Sequence, residues 1–181
     1  MQATALLFEM AEMARTADDA FDRVVRHREA RLLRIAYRML GNWADAEDVT
    51  QDVFLRLHRH GMDFANEAAL GSWLHRVAVN LCVDKSRRAR PTTELPELSS
   101  GNPTAEAELL RREQKNLLMI ALGTLPAKER AAVVLREIEG LATAEVAEIL
   151  GSSEVTVRGQ VSKAMARLRT LMKTLMNQER R

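Results

Sequence analysis

AEVAEILGSSEVTVRGQVSKA, residues 144–164, decides how the C-terminal part of this chain folds. Apolar residues at three- and four-residue steps run into Gly151-Ser152-Ser153 and resume beyond it, the pattern of two helices meeting at a short turn. Ala147 is small where the two helices must cross closely, and Gly151 permits the left-handed backbone of a tight turn. Ser153 can cap the second helix, with Glu154 in its first turn. Val157, Val161, Ala164 and Leu168 then form an inward stripe. This is the grammar of a helix-turn-helix. Its second helix carries Gly159, which costs about 1 kcal/mol against alanine. At about 100° per residue from Val157, Gly159 falls on the outward face. Thr156, Arg158, Ser162 and Lys163 surround it, with Gln160 and Arg167 on the flank. A glycine there removes bulk where the wall of a nucleic-acid groove would press. Arg and Gln can read base edges, while Lys and Ser mostly hold phosphates. The plain alternative is an αα-hairpin in any helical bundle.

Charge is segregated along the chain. The formal net charge of the 181 residues is only +2. Yet from Thr156 to Arg181 there are seven Lys or Arg against one acid, Glu179, whereas Asn42 to Phe54 holds Asp45, Glu47, Asp48 and Asp52 and no base. The molecule therefore presents one basic and one acidic surface. Three of the four prolines, Pro91, Pro96 and Pro103, fall in RPTTELPELSSGNPTAEAE, which from Pro91 to Glu108 has four Glu and no base. This predicts an extended acidic linker. All seven aromatic residues precede it. The expected fold is all-α: two small helical domains joined by an acidic, proline-containing linker, the second with the helix-turn-helix. The boundaries are a 1–18 extension, a 19–90 domain, a 91–105 linker and a 106–177 domain.

In the first domain a helix is predicted from a cap at Asp18 or Asp19 to Gly41-Asn42, with Phe21, Val24, Val25, Leu32, Leu33, Ala36, Met39 and Leu40 at helical spacing. DAEDVTQDVFLRLHRH predicts a second, with Val49, Val53, Phe54 and Leu57 on one face. AALGSWLHRVAVNLCVDKSRRAR predicts a third, with Trp73, Leu74, Val77, Leu81 and Val83 inward and Lys85, Arg87, Arg88 and Arg90 at its end. Asn80 and Asp84, at i and i+4, are either a structural hydrogen bond between helices or the wall of a polar pocket. In the second domain helices are expected near 104–122, 126–139, 142–150 and 153–176.

Several function classes are disfavoured. With one cysteine, Cys82, the chain can form no internal disulfide or cysteine-based zinc site. His58 and His60 stand two apart on different helix faces, which opposes a metal site. The order of residues offers no catalytic triad and no Gly-rich phosphate loop, so neither an enzyme nor a cofactor is expected. No apolar run approaches the ~18 residues of a membrane span, and the N-terminus lacks the basic start of a signal peptide. A cytoplasmic protein is expected, without membrane insertion. The acidic stretch is either a solvated face or a dock for a basic partner, since no basic helix of matching length is obvious nearby.

DAEDVTQDVFLRLHRH, SWLHRVAVNLCVDKSRRAR, the acidic linker and LPAKERAAVVLREIEGLATAEVAEILGSSEVTVRGQVSKAMARLR come in this order. Together they resemble a bacterial extracytoplasmic-function (ECF) sigma factor, over about residues 19–175. The resemblance implies an alternative sigma factor that binds RNA polymerase core and directs promoter-specific initiation. It implies that Asp45, Glu47, Asp48, Gln51 and Asp52 dock on the β′ clamp helices. It implies that MDFANEAALGSW, with Asp63, Phe64, Asn66 and Trp73, together with nearby Asn80, holds an unstacked −10 base, as single-stranded bases are generally held. Arg76, Lys85, Arg87 and Arg88 would hold the backbone. The linker would thread toward the active-site cleft, and the second domain would meet the β flap and read the −35 element with Thr156, Arg158, Gly159, Gln160, Ser162, Lys163 and Arg167. An anti-sigma factor is an expected partner, because nothing in the chain looks like a sensor. The family usually has Ser-Arg where this chain has Gly159-Gln160; loss of an arginine weakens phosphate or guanine contacts, and Gln favours adenine geometry. A stand-alone helix-turn-helix regulator would account for the C-terminal domain alone.

Overall fold

Each corner of the fold is set by a residue with a local reason to be there. The structure, a computed structural model, describes residues 2–88 and 105–178, with side chains over 18–88, 114–171 and 173. Helix α1 (Gln2–Leu40) ends at Gly41, whose φ of 77° no side chain adopts readily. Asn42 then caps α2 (Trp43–His60) by accepting from the Asp45 amide at 3.0 Å. Asn66 does the same for α3 (Glu67–Arg88), accepting from the Ala69 amide at 2.9 Å. The second set comprises α4 (Ala105–Gly123), α5 (Ala127–Val133), α6 (Thr143–Ile149) and α7 (Glu154–Gln178). Among the described residues there is no strand.

The first three helices close around Leu32, Ile35, Ala36 and Met39 of α1, Val49, Val53 and Leu57 of α2, and Leu70, Leu74, Ala78 and Cys82 of α3, all buried. Leu122, Leu125, Leu135, Val146, Ile149, Val157 and Ala164 do so for the second set. The two clusters are continuous, because α3 packs on α5 and α6. Each fully buried Leu or Ile contributes on the order of 1.5–3 kcal/mol. Burial also pushes the Cys82 thiol up to about 12, against the opposing pull of Lys85 and Arg130, so it stays protonated and inert.

Polar ties fix the orientation of one set on the other. Helix α5 widens after Val133 into a π-helical turn, Val134–Ile138, in which the Glu139 amide donates to Val134 O at 2.9 Å. Gly140, at φ 73°, ends the turn. The Glu139 carboxylate, only 8% exposed, lies between two guanidiniums of α1: Arg31 Nε at 2.8 Å and Arg38 Nη1 at 2.5 Å. Arg130 of α5 donates to Met39 O at the end of α1, and to Gly123 O and Leu125 O at the α4–α5 corner. Met39 O and Gly123 O are carbonyls that a helix end leaves without partners, and Leu125 O belongs to the loop between α4 and α5. His75 of α3 is buried beside this cluster, and its Nδ1 has no hydrogen-bond partner. Burial, reinforced by Arg31 and Arg28 and opposed by Glu139, lowers its pKa to about 4.

Several expectations are corrected. Helix α1 does not begin at Asp18 or Asp19; it runs unbroken from Gln2. The Ala-, Leu-, Glu- and Met-rich leading segment is a good helix former and overrides the cap signal. Helix α3 buries Leu70, Leu74, His75, Ala78, Val79 and Cys82, while Trp73, Val77, Leu81 and Val83 are only partly covered. The face is displaced and broadened because the second set of helices also packs on α3. Arg90 and the linker residues 91–104 lie outside the described residues.

Glu139→Ala leaves Arg31 and Arg38 without their carboxylate and is expected to lower stability by about 1–3 kcal/mol, measured by urea unfolding. A change below about 0.5 kcal/mol, the size of an ordinary surface substitution, would show that the tie carries no weight. His75 is held neutral in the fold, so its contribution is complete above pH 6.5 and declines as pH falls toward about 4. Stability is expected to fall across that window by at most about 1.4 kcal/mol per pH unit from this group. His75→Gln should flatten the profile; an unchanged slope would assign the acid sensitivity to other groups.

Candidate nucleic-acid interface

Helix α6 ends in a left-handed glycine cap. Ser152 N–H donates to Ala147 O at 2.9 Å and Gly151 N–H to Glu148 O at 3.2 Å, with Gly151 at φ 58°. Two residues later the Ser153 hydroxyl accepts from the Thr156 amide at 3.2 Å and starts α7. Val146, Ala147 and Ile149 of α6 lock onto Val157 and Ala164 of α7, so the angle between the helices is set by packing. The outer face of α7 is thereby fixed.

On that face Thr156, Arg158, Gly159, Ser162 and Lys163 are all exposed. A Cβ built on Gly159 would have no other group within 4 Å, so nothing inside the molecule requires the glycine. Arg158 reaches back to Glu154 at 3.0 Å, an exposed pair that is easily exchanged for another anion. Gln160 sits lower on the flank, with its amide oxygen buried and unpartnered. Arg167 lies 3.1 Å from Glu129 of α5, within charge attraction but without the alignment of a hydrogen bond. Five of the seven predicted residues of this helix thus share one open surface, while Gln160 is half-buried at its edge and Arg167, though exposed, leans toward Glu129.

The predicted residues of the first set divide in the same way. Phe64 and Trp73 come together, ring centroids 5.7 Å apart, and His60 joins both at 5.0 Å, stacked on Phe64. Sequence reasoning weighed His60 only as a metal ligand; the Gly61 turn that folds it onto Phe64 gave no periodic signal. Asn66 is committed as the cap of α3. Asp63, Asn80, Arg87 and Arg88 are exposed. Arg76 donates to Glu148 O at 3.1 Å, across to the helix-turn-helix. Among the described residues no cluster of potential metal ligands occurs, and no helix is long and apolar enough to cross a membrane.

The acidic face of α2 is partly answered from within. Lys85 of α3 bridges Asp45 at 2.7 Å and Asp48 at 2.9 Å. Burial works against its charge, but the hydrogen bonds and attraction of the two aspartates outweigh this and raise its pKa. Lys85 is thus brought to the acidic cluster and away from the other basic residues of its helix end. Glu47 accepts from Trp43 Nε1 at 2.8 Å. Gln51 and Asp52 stay exposed, beside Leu55, whose side chain is 54% exposed on the stripe of Asp48 and Asp52.

An all-α chain whose helix-turn-helix turns a basic, bulk-free face outward, with an acidic helix on the other unit, is built as a DNA-binding protein with a second macromolecular partner. The comparisons give the class. Residues 24–92 match sigma-70 region 2 and residues 115–168 match sigma-70 region 4. ECF RNA polymerase sigma factor SigM of Mycobacterium tuberculosis is 38% identical over 156 residues, covering 84% of this chain and 77% of the relative. Among solved structures, CnrH in complex with the cytosolic domain of CnrY is similar with a TM-score of 0.66 at 27% identity, covering 91% of this chain and 94% of that one. Sigma factor RpoE in complex with the anti-sigma factor NepR from Bartonella quintana has the same fold, with a TM-score of 0.64 at 20% identity over 85% and 97% of the two chains. The chain belongs to the ECF RNA polymerase sigma factors. It is an alternative sigma factor, directing promoter-specific transcription with RNA polymerase and promoter DNA as its partners.

Proposed function

We propose a division of labour within this sigma factor. Residues 106–177 form the unit that reads the −35 element, through Arg158, Ser162 and Lys163 around Gly159, with Thr156 at the helix start. Residues 19–90 form the unit that melts and holds the −10 element. There the His60, Phe64 and Trp73 rings offer a stacking surface for an unstacked base, and Asn80, Arg87 and Arg88 line the strand. The exposed stripe Asp48, Gln51 and Asp52 docks on the β′ clamp helices, and residues 91–105 are the tether between the units. The β flap is the polymerase contact of the second unit. The protein acts in the cytoplasm as a transcription regulator and not as an enzyme. Because RpoE and CnrH were each solved with a bound protein, an anti-sigma factor is the proposed regulator of this chain as well.

The observation that carries this is Gly159: an unneeded glycine with open space around it, at the centre of an exposed cationic helix face. Gly159→Ala is accordingly expected to raise stability, by up to about 1 kcal/mol, while lowering −35-dependent transcription by purified holoenzyme. A variant both more stable and equally active would remove the groove-approach argument. For the docking face, Asp48→Arg with Asp52→Arg is expected to abolish co-purification with core polymerase while leaving the far-ultraviolet circular dichroism unchanged. Undiminished co-purification would refute the assignment. Transcription in vitro with core polymerase on fragmented genomic template tests the whole scheme through the presence of defined start sites.

A further inference from the structure

Val155 is the most exposed large apolar side chain among the described residues, at 72%. It stands in the first turn of α7, directly after the Ser153 cap and Glu154. Its own element offers ample inward positions, filled by Val157, Val161, Ala164 and Leu168, so its exposure is not forced by a shortage of core. One turn further on, at i+4, lies Gly159, and Arg158 lies beside both. Val155 therefore forms an apolar spot within the cationic, bulk-free surface already described. The opening turn of the second helix of a helix-turn-helix is the part that meets base edges in the major groove. The apolar feature that a base edge presents there is the C5-methyl group of thymine.

We propose that Val155 is a specificity-determining residue that reads the methyl group of one thymine in the upstream promoter element. The inference rests on the assignment of α7 to that element. In it, Arg158 supplies polar readout next to the valine, and Gly159 lets the helix approach closely enough for the isopropyl group to touch a methyl. Removal of one methyl from such a contact corresponds to the loss of one buried carbon, about a fourfold effect. Since Val155 touches nothing in the core, its replacement leaves folding and core binding unchanged.

The test uses holoenzyme assembled from core polymerase and the full chain, on a promoter found by in vitro transcription. Each thymine of the upstream element is replaced in turn by deoxyuridine, which removes only the methyl group. At one position the wild type is expected to lose about fourfold in open-complex formation. Val155→Ser should show no loss there, and Val155→Thr, which keeps a methyl, should retain it. If the upstream element is required but no thymine shows a deoxyuridine effect that depends on residue 155, the inference is wrong and the −35 assignment stands. If scrambling the upstream element has no effect on wild-type transcription, both fall.

Discussion

The relation between the two sets of helices rests on one carboxylate. Glu139 sits at the end of a π-helical turn between Arg31 and Arg38, nearly removed from water. Burying a carboxylate is costly unless its lone pairs are used, and two guanidiniums use them. Apolar packing between α3 and the α5–α6 pair brings the helices together, but apolar contact is non-directional. The Glu139 pairings and the Arg130 bonds to Met39 O, Gly123 O and Leu125 O supply the direction. The wider turn carries the chain from the end of α5 to Glu139, so a local irregularity serves the placement of a whole unit.

That placement leaves the outer face of α7 open while occupying part of α3. Arg76, a candidate for the promoter backbone, is taken by Glu148 of the helix-turn-helix. The paired contact is exposed on both sides, so water and salt compete with it, and its hold is weak beside that of Glu139. Burial separates these charges: the Glu139 tie is sheltered, and the Arg76–Glu148 pair on a candidate surface is wet.

What could be read from the sequence was what depends on neighbours in sequence. The Gly151 turn, the Ser153 cap and the outward position of Gly159 follow from local backbone chemistry and helical period, and the structure shows all three. The inward stripe of α2 and the buried Val157 and Ala164 of α7 follow for the same reason, with Val161 and Leu168 only partly covered. The start of α1 did not, because Asp18 and Asp19 look like caps only if the preceding residues are not themselves strong helix formers. The fully buried Ile35 and the broad buried face of α3 were missed because a helix covered on two sides has no single stripe. The partners of Lys85 and the joining of His60 to Phe64 and Trp73 depend on how helices register in space, which periodicity does not encode.

Lys85 ends α3 among cations yet spends its ammonium on Asp45 and Asp48. One ammonium group cannot neutralise a phosphate and hold that carboxylate pair at the same time. If a nucleic-acid strand draws Lys85 away, two aspartates on α2 are uncovered together; if a basic protein takes those aspartates, the lysine is released toward the strand. By reciprocity each event favours the other to the same degree. Under the proposed assignments, a single side chain thus links loading of the template to seating on the enzyme.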